Sequence, residues 1–206
     1  MLKSLLLIIF SLFTFMPRSH AADVAALQRL FEQNYRGSFY QQAQCGSNTE
    51  KLIRLAMRKG VDLSGASLVQ LINTGFSNFG LVAAYKAREQ GRLTGRGSAD
   101  EPSREVGQAN WDYHAFVMAD GLVFDFDFEN YPTVLPVRDY AEEMFLPRGK
   151  AASPEMRRKL FSEYEVQISR LRPVSPSESS SARREEFLAP PVKQRLIDFV
   201  DIGPRE

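Results

Sequence analysis

The spacing of apolar residues changes along the chain, and each change predicts an element. Val24, Leu27, Leu30 and Phe31 recur at helical intervals, which predicts an amphipathic helix over residues 24–35, ended by Arg36-Gly37-Ser38. Leu52, Leu55 and Ala56 repeat the pattern. Ser47 and Glu50 before them have the S-x-x-E spacing of a capping box, and Arg58-Lys59-Gly60 reads as a helix C-terminus. A second helix is therefore expected over residues 48–59. Residues 66–72 and 80–85 read as strands, and the polar, glycine-containing stretch 86–107 as a surface loop. Further on, the pattern predicts a short helix over 137–144. Another, opened by Ser153 as N-cap and Pro154 at N1, should run to about residue 162. A strand over 164–168, a long Ser/Pro/charge-rich loop over 172–189 and a last short helix within 191–200 complete the chain. The expected class is α+β, an antiparallel sheet with helices packed on it.

The strongest local signal is the stretch from Trp111 to Phe128, two apolar runs flanking Asp120-Gly121. A type I′ turn needs positive φ at both central positions, and Asp-Gly supplies it. With Ala119 facing Leu122, a regular ladder puts Asp127 opposite His114 and Asp125 opposite Phe116. Alternation then sends His114, Asp125 and Asp127 to one face. Asp125 is the diagonal neighbour of His114, about 7–8 Å away between Cα atoms. The mostly apolar flanks predict a central place in the sheet for this hairpin.

Residues 1–21 follow another pattern: Lys3, an apolar run over 5–16, then Ser19-His20-Ala21. They read as a secretory signal peptide cleaved before Ala22, too short for a comfortable membrane span. The expected product is secreted or periplasmic, with no stable membrane anchor after cleavage and residues 22–206 as a single domain. About 185 residues suffice for one domain with a real core. Cleavage removes Lys3 and Arg18 and no acid, taking the formal charge from +1 to −1. Neither nucleic acid nor an anionic membrane is expected as partner.

Cleavage also leaves one histidine, His114, beside the single cysteine, Cys45. A lone cysteine in an exported chain forms no internal disulfide, so it is either inert and buried or kept for its chemistry. Its neighbours Gln44, Gly46, Ser47 and Asn48 favour chemistry. A thiol just ahead of a helix faces unpaired N–H groups and the positive dipole end, which favour thiolate. One Cys, one His and a nearby carboxylate form a nucleophile, base and orienting acid. One Cys and one His fall short of the usual metal-ligand set, so no metal is expected.

Trp111-Asp112-Tyr113-His114 followed by Phe124-Asp125-Phe126-Asp127 resembles the W-D-Y-H … Y-D-L-D signature of the protein N-terminal glutamine amidohydrolases. Cys45-x-x-Asn48-x-x-Lys51-Leu52 is similar to the C-x-x-N-x-x-K-L around that family's nucleophile. The resemblance implies a papain-like or transglutaminase-like fold, with the nucleophile's helix packed on an antiparallel sheet. It also implies cofactor-free hydrolysis of the side-chain amide of an N-terminal glutamine, on a peptide or protein substrate. Residue by residue it makes Cys45 the nucleophile, His114 the base and Asp125 the orienting acid, whereas the regular hairpin register favours Asp127. The family works in the cytosol, while this chain opens on an export signal.

The expected reaction is thiolate attack on a primary amide, proton delivery by His114 to the departing ammonia, and hydrolysis of a thioester. The Cys45 N–H would bind the oxyanion together with an upstream donor, for which Gln41, Gln42 and Gln44 qualify. Asp112 either contacts an ammonium group or makes a structural bond at the strand start. The same residues would also serve a papain-like peptidase, an internal protein-glutaminase or a transglutaminase. A non-catalytic binding protein is the alternative of another class.

Overall fold

The computed structural model describes residues 22–41, 44–73, 82–83, 108–109, 113–128, 131–145, 153–162, 164–179 and 181–201. Six strands form one antiparallel sheet: β1 (Ala66–Asn73), β4 (Tyr113–Ala119), β5 (Leu122–Phe124), β6 (Val134–Pro136), β7 (Tyr164–Arg170) and β8 (Val192–Arg195), in the order β6-β5-β4-β1-β7-β8. The two-residue strands β2 (Val82–Ala83) and β3 (Gln108–Ala109) pair separately. Helices α1 (Val24–Asn34), α2 (Cys45–Arg58), α3 (Val137–Phe145), α4 (Pro154–Ser162), α5 (Arg184–Phe187) and α6 (Leu196–Asp201) complete the described chain, and the class is α+β. Among the described residues no helix is long and apolar enough to cross a membrane.

Both faces of the sheet are covered. Leu68, Val117, Ala119 and Phe124 pack with Leu27 and Phe31 of α1 and with Leu52, Ile53 and Ala56 of α2. The alternate residues Val69, Leu71, Phe116, Val123 and Val166 pack with Tyr140 and Met144 of α3, Phe161 of α4 and Phe199 of α6. An antiparallel sheet often leaves one face wet. Here the second helical layer explains why β4 is apolar at nearly every position rather than at every other one.

The Asp120-Gly121 turn forms as its chemistry requires, with φ of 49° and 76° and Ala119 opposite Leu122. Its strands lie inside the sheet. Asp23 caps α1 by accepting from Ala26 N at 2.9 Å.

The structure corrects four expectations. Helix α2 begins at Cys45, not at residue 48: Asn48 N donates to Gln44 O at 2.8 Å, so Gln44 is the N-cap and Ser47 lies inside the first turn. The Ser47/Glu50 capping box therefore does not form. The regular ladder of the hairpin stops at Val117↔Phe124, so His114 is not paired with Asp127 across strands. Residues 191–200 are not one helix: Val192–Arg195 adds to the sheet as β8, held by β7 and a Lys193–Glu165 ion pair of 3.2 Å, before α6 starts. The loop 172–189 contains α5. Its apolar anchors Phe187 and Leu188 are buried against the α1–α2 side, and Arg54 holds the carbonyls of Ser179 and Ala182.

The signal-peptide segment 1–21, the connection over residues 74–80 and the loop over residues 86–107 lie outside the described residues, as do Gln42 and Asp112.

Candidate active site

The open end of the hairpin meets the start of α2. His114, on β4, is fully buried, and its Nε2 lies 2.7 Å from Asp125 Oδ2. Asp125 follows the last residue of β5. Its other oxygen, Oδ1, accepts from the backbone N–H of Asp127 at 2.9 Å. That bond to the chain two residues on competes with the ladder and turns the backbone away. The pairing ends, Asp125 stays beside His114, and the Asp127 carboxylate swings toward the Tyr40 hydroxyl, which donates to it. The choice between the two aspartates is thus made by an Asx turn.

The thiol comes from the other direction. Cys45 is the first residue of α2, ahead of Asn48, where the intrahelical ladder begins, so the residue lies at the positive end of the helix dipole, in the turn whose N–H groups have no intrahelical acceptor. It is 9 % exposed and belongs to neither hydrophobic cluster. Its Sγ lies 3.7 Å from the carbonyl oxygen of Tyr113, the residue before His114. Thr49 Oγ1 lies 2.7 Å from Cys45 O and 3.1 Å from Ala115 O, sharing its proton between the helix and β4. This joint fixes the thiol's height over the strand that carries the imidazole.

The approach to Cys45 is clamped as well. The Asn48 side chain accepts from Gln41 N at 2.9 Å and donates to Gln41 O at 2.7 Å; Lys51 Nζ donates to Phe39 O at 2.8 Å. The C-x-x-N-x-x-K spacing thus places two polar side chains, three residues apart on one helix face, to hold the lead-in. Both Gln41 and Gln44 are exposed. The backbone N–H of Gln41 is committed to Asn48 and that of Gln44 to Gln41 O at 3.2 Å. Either residue can reach an oxyanion only with its side-chain amide, leaving the first-turn N–H groups as the backbone donors. Gly46 has ordinary helical geometry, but a Cβ there would stand 2.7 Å from the Tyr113 hydroxyl. A side chain there would have to turn that exposed phenol aside.

Burial opposes the charged imidazolium at His114. The Asp125 carboxylate, its hydrogen bond and the contact with Cys45 outweigh burial, and the ring titrates well above its ordinary 6.5. With Nε2 held by Asp125, Nδ1 is the nitrogen for the thiol. Burial, then the neighbouring Asp125 charge, push the Asp127 carboxyl above its usual range against His114, Tyr40 and Arg36. Burial and then the Asp127 charge raise Tyr40; burial and then the Asp125 charge raise Tyr140, so both phenols stay protonated donors.

Tyr140 did not stand out in the sequence as a functional position, and Asn48 stood out only through the C-x-x-N-x-x-K-L resemblance, without a role of its own. Tyr140 donates to Asp125 Oδ2 at 2.8 Å. The only hint was a tyrosine on the inward face of the short helix expected over 137–144, where a buried phenol needs a polar partner.

His114, Asp125 and Asp127 also have potential ligand atoms within 4.8 Å of one another. Their best-placed atoms bond to each other and to Tyr140, Tyr40 and the Asp127 N–H, so a cation would have to displace the His114–Asp125 bond. The donor set fits a proton relay better than a metal site.

Compared with known proteins, the sequence matches no family model and none of the curated proteins.

Proposed function

We propose that the chain is an exported cysteine amidohydrolase of papain-like or transglutaminase-like design. It converts glutamine side chains to glutamate, with the N-terminal glutamine of a peptide or protein as substrate. The observation that carries the chemistry is the buried His114 Nε2–Asp125 Oδ2 contact of 2.7 Å beside a helix-start thiol, whose Sγ lies 3.7 Å from the carbonyl oxygen of the residue before His114. The choice of N-terminal glutamine rests on the W-D-Y-H and D-x-D resemblance.

In this reading Cys45 gives its proton to His114 Nδ1, and its sulfur attacks the carboxamide carbon. The C–S bond forms as the C=O electrons move onto oxygen, which the N–H groups opening α2 receive. Asp125 keeps the ring oriented and offsets its positive charge. As the tetrahedral centre collapses, the C–N bond breaks, and the proton on His114 leaves with the nitrogen as ammonia. Water, deprotonated by the same nitrogen, opens the thioester to glutamate and restores the thiol. No step needs a cofactor.

The experiment is incubation of the purified protein with peptides that differ only in glutamine position, read by mass spectrometry. The expected product is an intact peptide carrying the mass change of an amide turned into an acid, for N-terminal glutamine first. Fragments would identify a peptidase, and cross-linking to added amines a transglutaminase. An unchanged peptide set with folded protein would favour a binding role.

A further inference from the structure

Among the described residues, Oδ2 of Asp125 receives two donors, His114 Nε2 at 2.7 Å and the Tyr140 hydroxyl at 2.8 Å, while Oδ1 receives one, the Asp127 N–H at 2.9 Å. The phenol is held firmly. Tyr140 is 2 % exposed, its ring lies 5.0 Å from those of Phe116 and Phe128, and Val137, Ala141 and Met144 bury the same side of α3. A carboxylate tethered only through Oδ1 can turn about its Cβ–Cγ bond, and the ring it orients then turns with it. A second fixed donor on Oδ2 removes that freedom.

We propose that Tyr140 is a positioning residue of this site: its hydroxyl, sharing Oδ2 with His114, locks the Asp125 carboxylate so that Nε2 faces the acid and Nδ1 faces Cys45. The inference deepens the reading of His114 as proton carrier and rests on it. The other titratable groups around the pair are Asp127 on the same turn, Tyr40 bonded to Asp127, Cys45 on α2 and Arg36, whose charge acts on Asp127 and Tyr40.

The test is imidazole 15N NMR across pH on wild type and Tyr140→Phe. The chain has two histidines, His20 and His114, so assignment needs one further variant at most. Wild type is expected to keep the proton on Nε2 once the ring is neutral. Tyr140→Phe is expected to show a mixture of tautomers and a shifted titration. On glutamine peptides its kcat falls about tenfold with KM unchanged, less than the roughly 10⁴-fold loss when a triad acid is replaced. A neutral wild-type ring protonated on Nδ1 overturns the proposal, as does a Tyr140→Phe spectrum identical to wild type. Phe128→Leu disturbs the ring packing without touching the hydroxyl; if it reproduces the tautomer change, the role is structural and the proposal falls. Should Tyr140→Phe not fold, 3-fluorotyrosine incorporated into Tyr40→Phe protein strengthens the donor instead. Movement of the His114 Nε2–H resonance is then expected, and a fixed resonance overturns the proposal. The NMR readout needs no turnover, so it stands or falls apart from the proposed activity.

Discussion

At its closed end the β4–β5 hairpin is a two-residue turn with Asp120 and Gly121 at positive φ. At its open end the ladder stops after Phe124, and Asp125 bonds the backbone of Asp127. Two residues with a strong local preference determine the first geometry. The second depends on partners 15 and 87 residues away in sequence: Tyr140 on Asp125 and Tyr40 on Asp127. The closed end sets register and stability. The open end gives up three rungs of pairing, and the groups freed from the ladder line the candidate site. Identical carboxylates two residues apart thereby acquire different surroundings. Asp125 has three donors, including the imidazole, while Asp127 is buried beside its charge.

Substitutions that separate the two ends should differ in kind. Cys45→Ala should have the largest kinetic effect, a loss on the order of 10⁶-fold, as when an activated nucleophile is removed. Its stability cost should fall well short of the roughly 2–5 kcal/mol of an aliphatic core truncation, because the thiol lies outside both clusters. Denaturant titration beside peptide kinetics checks both halves.

Asp125→Asn should come next, with about a 10⁴-fold loss of turnover from a mis-set imidazole. Asp127→Asn should cost far less. Its amide oxygen still accepts from Tyr40, and the exchange removes a carboxylate that burial and Asp125 disfavour, so the urea midpoint should hold or rise at neutral pH. A larger kinetic loss for Asp127→Asn would reverse the assignment.

The pH dependence of stability gives a third contrast. His114 titrates above 6.5 in the folded protein, so its charged form contributes stability that is fully present below that value. The contribution is lost as pH rises through the folded value. The urea midpoint should therefore decline on the alkaline side. In Asp125→Asn, where the charge that holds the imidazolium is gone, that decline should move down toward the ordinary histidine range.

The smallest effects should come from two glycine replacements. Gly121→Ala strains a residue at φ 76° and should cost about 1 kcal/mol or somewhat more. Gly46→Ala should change stability by less than about 1 kcal/mol, since better helix propensity offsets displacement of the exposed Tyr113 phenol. Thermal melts and a structure of Gly46→Ala would check this: the tyrosine should turn away and the helix stay put.

The same contrast explains what could be read in advance. The Asp-Gly turn, the helices at Val24–Asn34 and Pro154–Ser162 and the α+β class follow from short-range patterns, and all were legible. Cys45, His114 and the two aspartates stood out as residue types. Which aspartate meets the ring was not decided by pattern, because an Asx turn and a regular rung look alike in D-x-D. The start of α2 was misjudged because Ser47 and Glu50 have capping-box spacing while the helix starts one residue after Gln44, which makes no side-chain cap. The β8 strand was hidden because an exposed Val-Lys-Gln-Arg edge has no apolar alternation. The Asn48 clamp acts on the backbone of Gln41, seven residues back, and the Tyr140 hydroxyl on Asp125, 15 residues back; both are polar contacts that the spacing of apolar residues does not register.

The most direct test of the central claim is the intact mass of the protein, quenched in acid moments after mixing with an N-terminal glutamine peptide. The thiol path through His114 and Asp125 predicts a transient adduct on Cys45 equal to the peptide less ammonia. It should build up in Asp125→Asn if deacylation slows more than acylation, and it should be absent from Cys45→Ser. Deamidation of the peptide by folded Cys45→Ser at the wild-type rate would contradict the account.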